Sequence, residues 1–256
     1  MKLIVLSSRK TMTGLVLTIA VALLILTIGR YGVKALETYT EQRELPIYSV
    51  DTAEKKAAIT FDCAWGADDI PDILNTLKKS DIKATFFTVG QWAEKYPDSI
   101  RAIADDGHDV ANHSYSHLRM GSIDREKLIS EIQKCNDVLE KLSGKKCELF
   151  RAPYGDYNNS TIIEARKLGC YTIQWNVDSL DWKPGISSDE IMKRIDKYIK
   201  PGSILLFHND TPLTAKLLPG IIADLKDKGY SFVPVSELIL RDNYNIDNEG
   251  RQKSNT

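Results

Sequence analysis

From Lys56 onward, short apolar runs alternate with longer stretches in which apolar residues recur every three or four positions. No other feature restricts the chain as much, because βα units feeding a mostly parallel sheet or barrel bury both kinds of surface. The alternation predicts about seven strands, at 57–61, 84–89, 109–111, 149–151, 171–175, 203–207 and 231–233. Between them it predicts helices at 70–79, 98–105, 125–142, 161–168, 189–199 and 215–228. In the longest helix Leu128, Ile132, Cys135, Leu139 and Leu142 form one stripe that can lie on a sheet, so these residues are read as packing. Gly144, Gly169 and Gly229 stand just past three helices, where a left-handed cap is wanted. Residues 241–256 (RDNYNIDNEGRQKSNT) carry almost no apolar side chains and are expected to be a disordered tail.

Ahead of this domain, residues 11–29 contain no charge. About 19 residues make roughly 28 Å of helix, close to the ~30 Å apolar core of a bilayer. Lys2, Arg9 and Lys10 precede the run, so the positive-inside bias leans towards a cytoplasmic segment at 1–10, an anchor at 11–29 and a linker at 30–52. The expected location is then the cell membrane, single-pass, with the domain at 53–240 outside. A cleaved signal peptide is the alternative, because Val33-Lys34-Ala35 loosely fits a cleavage site. Either reading exports the domain. With 34 Lys and Arg against 35 Asp and Glu the chain lacks the basic excess of a nucleic-acid binder. Its four cysteines, 63, 135, 147 and 170, show no C-x-x-C spacing and are too few for a disulfide framework, although a Cys135–Cys147 bridge is conceivable outside the cytoplasm.

The ionisable residues gather at or just past the carboxyl ends of the predicted strands: Asp62, His113, Arg151, Asp178 with Asp181, and His208. That rim is where sites are built in βα barrels and open α/β sheets. His113 and His117 (HSYSH) stand four apart, and on a helical turn both imidazoles would share one face and bind one divalent metal ion. His108, ahead of its strand, is read as structural. Asp62 reads as a catalytic or supporting carboxylate, and Asp181 as a group that orients a histidine. Trp182 and Tyr154 offer flat apolar faces on which sugar rings stack. No G-x-S-x-G elbow is present, which disfavours a serine hydrolase. A two-metal phosphoester hydrolase would want more converging carboxylates and bases.

Five segments in order, Thr60-Phe61-Asp62, His113-Ser114-Tyr115-Ser116-His117, Arg151-Ala152-Pro153-Tyr154-Gly155, Asp178-Ser179-Leu180-Asp181-Trp182 and Leu206-Phe207-His208, resemble the polysaccharide deacetylase family. This is the NodB-homology domain, or carbohydrate esterase family 4. The resemblance covers about residues 55–240, and Phe61-Asp62-Cys63-Ala64-Trp65-Gly66 looks most like its sporulation-type branch. It implies a distorted (β/α) barrel and metal-dependent removal of N-acetyl groups from cell-wall or chitin-like glycans. It also implies Asp62 as base, held by Arg151, and His113 and His117 as ligands of one divalent ion, zinc first, with cobalt, manganese or nickel as alternatives. The Tyr154 N–H would stabilise the oxyanion, His208 held by Asp181 would protonate the leaving amine, and Leu206 would line the acetyl pocket. Where the family has a second Asp after the base, this chain has Cys63. The third ligand is then the Cys63 thiolate, a carboxylate from Asp68 or Asp69, or water, with Asp68 or Asp69 slightly favoured. A glycan-binding envelope protein with impaired catalysis is the alternative that Cys63 raises.

Overall fold

The computed structural model describes residues 14, 16–29 and 43–255, in two units, 1–43 and 44–256. In the first, residues 16–29 form helix α1, whose Leu17, Leu24 and Leu26 are exposed. Its described turns run about 21 Å at 1.5 Å per residue. Among the described residues no helix is long and apolar enough to cross a membrane. The spanning helix expected at 11–29 is therefore not shown. The expected cytoplasmic segment 1–10 and the linker as far as residue 42 lie outside the described residues.

The second unit runs β1 (Ser49–Val50), β2 (Lys56–Cys63), α2 (Ile70–Lys79), β3 (Thr85–Thr88), α3 (Gly90–Lys95), α4 (Pro97–Asp105) and β4 (Asp109–Asn112). It continues with α5 (Arg125–Ser143), β5 (Leu149–Phe150), a 3₁₀ turn (Pro153–Gly155), α6 (Asn159–Lys167), β6 (Tyr171–Thr172) and β7 (Val177–Asp178). Then come α7 (Ser188–Tyr198), β8 (Ser203–His208), α8 (Thr214–Asp227), β9 (Ser231–Phe232), α9 (Val235–Leu238), β10 (Tyr244–Ile246) and β11 (Arg251–Ser254). The helices end where local chemistry says they should. Asp124 accepts from the Lys127 N–H at the start of α5, and Gly144 at φ +68° closes it.

The result is an α/β fold around one curled sheet in the order β10-β11-β1-β8-β2-β3-β4-β5-β6, with β7 also on β8 and β9 on β2. The pairs β2–β3, β3–β4, β4–β5, β5–β6 and β2–β8 are parallel; β1–β8 and β10–β11 are antiparallel. All seven predicted strands are present, but the sheet has eleven. The linker reading fails from residue 44 on, because Ile47 forms a parallel bridge to Ile173 just past β6, while Ser49 pairs with Ser203 of β8. The segment 47–50 thus joins the two edges of the curl. The disordered-tail reading fails as well, since β10 and β11 form a hairpin and β11 pairs with β1.

Side-chain alternation along β2 sorts the core into two layers. Ala57, Ile59, Phe61 and Cys63 pack with α2, α7 and α8 in the outer core, whereas Ala58 belongs with Phe87, Ala111, Ile173 and Ile204 inside the curl. The inner face of β2 therefore runs Ala58, Thr60, Asp62, apolar at one end of the curl and acidic at the other. All four cysteines are buried and free, so the conceivable Cys135–Cys147 bridge is not formed.

Candidate active site

At the carboxyl ends of β2 and β8 a cavity of about 480 Å³ opens, lined by Asp62, Ala64, Trp65, His113, His117, Tyr154, Trp175, Asp178, Trp182, Leu206 and His208. Asp62 and His208 are register partners on adjacent strands. They therefore stand side by side on the inner face, near one strand spacing apart.

Around Asp62 the contacts are short and buried. Arg151, wholly buried just past β5, donates from Nη1 to Asp62 Oδ1 at 2.6 Å and to Thr60 Oγ1 at 2.9 Å, and from Nη2 to the Gln174 carbonyl at 3.2 Å. Its guanidinium lies 3.9 Å from the Phe87 ring centre. Burial pushes the Asp62 carboxyl up, but the Arg151 charge and hydrogen bond, with the neighbouring imidazoles, outweigh it and hold the group below the usual carboxylate range. Asp62 is thus ionised at neutral pH and ready to take a proton.

His113 Nε2 lies 3.4 Å from Asp62 Oδ2, and its Nδ1–H donates to the Arg151 carbonyl at 2.8 Å. The His117 ring centre is 5.1 Å from that of His113, and its Nδ1 is 3.1 Å from the Tyr154 hydroxyl. Burial lowers the pKa of both, His117 to about 4 with help from His113, so both are neutral. The HSYSH segment is not the helical turn expected. It is a loop with Ser114 and His117 in the left-handed region, φ +63° and +59°. Asn112 Oδ1 accepts from the Ser114 N–H, Ser114 Oγ from the His117 N–H, and buried Glu131 of α5 from both the N–H and the hydroxyl of Ser116. Side-chain hydrogen bonds, rather than helical periodicity, bring the imidazoles together.

On the facing side, buried Asp181 accepts from His208 Nδ1–H at 2.8 Å, from the His208 backbone N–H at 2.7 Å and from the Thr214 hydroxyl. Burial lowers the His208 pKa, yet the Asp181 hydrogen bond and charge, aided by Asp62 and Asp178, leave it above the ordinary histidine value. One cavity therefore holds a carboxyl pushed down and an imidazole pushed up, the arrangement that separates a base from an acid. Leu206, two residues before His208 and paired with Thr60, also lines the cavity, and Trp182 and Tyr154 stand at its rim. Tyr154 sits at φ +61° in the Pro153–Gly155 turn.

The three protein groups expected as a third metal ligand are all elsewhere. Cys63 points into the outer core, the face opposite Asp62, and burial with the charges of Asp62 and Asp69 pushes its thiol pKa well up. Asp68 is exposed and does not line the cavity. Asp69 accepts from the Asp210 N–H through Oδ2 at 2.8 Å. Among the described residues no three His, Cys, Asp or Glu side chains are gathered to hold a metal ion. The donor chemistry fits a divalent ion at two imidazoles, each with Nδ1 engaged, and falls short of the three protein ligands of a catalytic zinc site.

Sequence reasoning missed Ala64, Trp65 and Trp175 as lining residues and Glu131 and Thr214 as supports. Trp65 had a visible signal: it is an aromatic residue in a Gly-containing loop directly after the strand that carries Asp62.

Fold and cavity together define an α/β domain with a buried carboxylate and a histidine paired at the carboxyl ends of adjacent parallel strands. The polysaccharide deacetylase family profile matches residues 49–173. A peptidoglycan-N-acetylglucosamine deacetylase of Bacillus cereus is 35% identical over 188 residues, 72% of this chain and 68% of that protein. The peptidoglycan-N-acetylmuramic acid deacetylase PdaA of Bacillus subtilis is 32% identical, over 75% of this chain and 74% of its own. Among solved structures, a wild-type carbohydrate esterase family 4 pseudoenzyme from Bacillus anthracis is 34% identical with a TM-score of 0.73, over 75% of this chain and 68% of that one. The chain belongs to the polysaccharide deacetylase family, carbohydrate esterase family 4.

Proposed function

We propose that the chain removes N-acetyl groups from a cell-wall polysaccharide of the peptidoglycan type, releasing acetate and a free amine. The observation that carries this reading is the pair Asp62 and His208, adjacent across β2 and β8 with their pKa values displaced in opposite directions over one cavity. Amide hydrolysis needs both members of such a pair. Asp62 takes a proton as a water oxygen bonds to the acetyl carbon, and His208 gives its Nε2 proton to the nitrogen as the C–N bond breaks. Arg151 keeps Asp62 ionised and fixed, and Asp181 does the same for the imidazolium. The Tyr154 backbone N–H steadies the negative oxygen of the tetrahedral state, and Leu206 walls the acetyl methyl. A divalent ion, zinc, cobalt, manganese or nickel, would be held by His113 and His117, where it supplies Lewis acidity to the carbonyl and water. With two protein ligands such an ion would be held weakly, and acetate release would rise with added metal.

The charge-free run at 11–29 supports an exported domain, anchored or released after cleavage, for which N-acetylated glycan would be the available partner. Incubation of the chain with N-acetylated peptidoglycan across a metal series, with acetate as the readout, tests the proposal. Release above a His113→Ala control supports it, and none across metals and glycans refutes it. A second reading, a glycan-binding protein with impaired catalysis, is favoured by the missing third ligand and by the pseudoenzyme relative. Retained glycan binding without turnover would select it.

A further inference from the structure

We propose that Trp65 forms a sugar-binding subsite on the His117 side of the cavity, so that the ligand is a chain of sugars crossing the site rather than a single acetylated residue. The inference deepens the glycan reading above and rests on it for the nature of the ligand.

The first support is where apolar surface is left open. Among the described residues from 44 on, large apolar side chains are exposed at four positions, Trp65 (55%), Tyr154 (58%), Trp182 (54%) and Tyr198 (42%). Three of the four, all but Tyr198, line this one cavity. Isolated exposed apolar residues are ordinary, but a convergent group rimmed by polar side chains marks a binding surface. The indole of Trp65 makes a T-shaped contact with the His117 ring, ring centres 5.6 Å apart, and the residue stays 55% exposed. Trp182 follows Asp181, the residue that holds His208. One platform thus neighbours the His113–His117 half of the site and the other adjoins the acid half. A pyranose with equatorial substituents presents an apolar C–H face that suits such rings.

The second support is that the Trp65 loop is built to stay put. The Gly66 N–H donates to Asp210 Oδ2 at 3.0 Å. The Gly66 carbonyl accepts from Trp92 Nε1–H at 2.8 Å and from the Asn209 amide. The Asp210 N–H donates back to Asp69 Oδ2, which closes a reciprocal latch between the loop after β2 and the loop after β8. A Cβ on Gly66 would come within 2.7 Å of the Asp210 carboxyl, so the latch requires glycine beside Trp65. Asp69, a candidate metal ligand by sequence, is spent on fixing this aromatic residue. A ring held in place before binding loses little freedom when a sugar stacks on it.

The test is a binding titration of the full chain, by calorimetry, with two probes, N-acetylglucosamine and its β-1,4-linked tetramer. Trp65→Ala is expected to weaken tetramer binding at least tenfold and to change monosaccharide binding less than twofold. Trp65→Phe should recover most of the loss, and Tyr198→Ala, outside the cavity, should bind both probes like the parent. Unfolding midpoints of the variants guard against misfolding, and the exposed position of Trp65 makes them insensitive to the change. Tetramer binding by Trp65→Ala within twofold of the parent overturns the subsite, as does a parent that binds the tetramer no better than the monosaccharide. Because the readout is binding, a parent that grips the tetramer through Trp65 but releases no acetate keeps the subsite and refutes only the hydrolase reading.

Discussion

Replacing Asp181 with Asn probes the acid half of the site through a group that never meets the substrate. Asp181 accepts three hydrogen bonds, two from His208 and one from Thr214. An amide retains one acceptor oxygen. If that oxygen stays on His208 Nδ1–H, the NH₂ group turns towards two donors, the His208 N–H and the Thr214 hydroxyl. Losing the charge-assisted bond costs the imidazolium about 1.5–3 kcal/mol, roughly a ten- to hundredfold drop in its protonation constant. Burial, the largest influence on His208, is then opposed by Asp62 and Asp178 alone, so its pKa falls. The sign follows. The parent keeps His208 protonated to higher pH, and in Asp181→Asn the alkaline limb of the acetate-release profile moves to lower pH, with turnover on the alkaline side of both limbs down roughly ten- to hundredfold. A side-chain NMR titration of His208 should track the same displacement. The stranded backbone donor adds about 1–3 kcal/mol of destabilisation, readable in urea. A folded Asp181→Asn whose alkaline limb and His208 titration stay in place would refute the assignment of His208 as an acid tuned by Asp181.

Arg151→Lys removes the planar fork that serves Asp62, Thr60 and Gln174 at once, and is expected to cost about 2–4 kcal/mol in urea unfolding; a variant as stable as the parent would contradict the role given to the guanidinium. His108, buried with Nδ1 accepting from the Ala84 N–H, has its pKa lowered to about 4, first by burial and then by Lys83. Its folded pKa lies below its unfolded 6.5, so its stability contribution is complete above pH 6.5. About 3 kcal/mol is then lost as pH falls to 4. Urea midpoints should show that slope, and His108→Asn should flatten His108's share of it, while the part due to His113 and His117 remains. Cys63→Asp puts a carboxylate into the apolar outer core and should destabilise the chain by several kcal/mol without raising Co²⁺ affinity. Ala64→Asp, on the cavity wall, should raise it, and calorimetry that found the reverse order would overturn the facing assigned to these two positions.

The strands that carry the chemistry were readable because each is an apolar run ending in a rare ionisable residue, as in Ile59-Thr60-Phe61-Asp62 and Leu205-Leu206-Phe207-His208. The sheet's closing pieces were not. β1 and β7 have two residues each, too few for a period, and β10, the edge strand, and its partner β11 carry mostly polar, half-exposed side chains. The anchor of that hairpin is a polar residue, the wholly buried Gln252, whose amide accepts from the Leu240 N–H and donates to the Leu240 carbonyl. Hydropathy gives no hint of it. The residues expected from sequence to be metal ligands divide in the same way. His113 and His117 share a short segment, and proximity in sequence became proximity in space. Cys63 was misread because one step along a strand turns a side chain to the opposite face. Asp69 was misread because its partner, the Asp210 N–H, lies 141 residues away.

The meeting of β1 with both β8 and β11 has a mechanical consequence. The first and last strands of the unit run side by side, so a pull entering at residue 44 is borne by hydrogen-bonded ladders on both flanks of β1, loaded in shear. A tether on that side would strain the seam of the curl before it reached Asp62 or His208. A version trimmed to 53–240 would lose the seam altogether, leaving the outer edge of β6 and the Ser203 end of β8 without their partners.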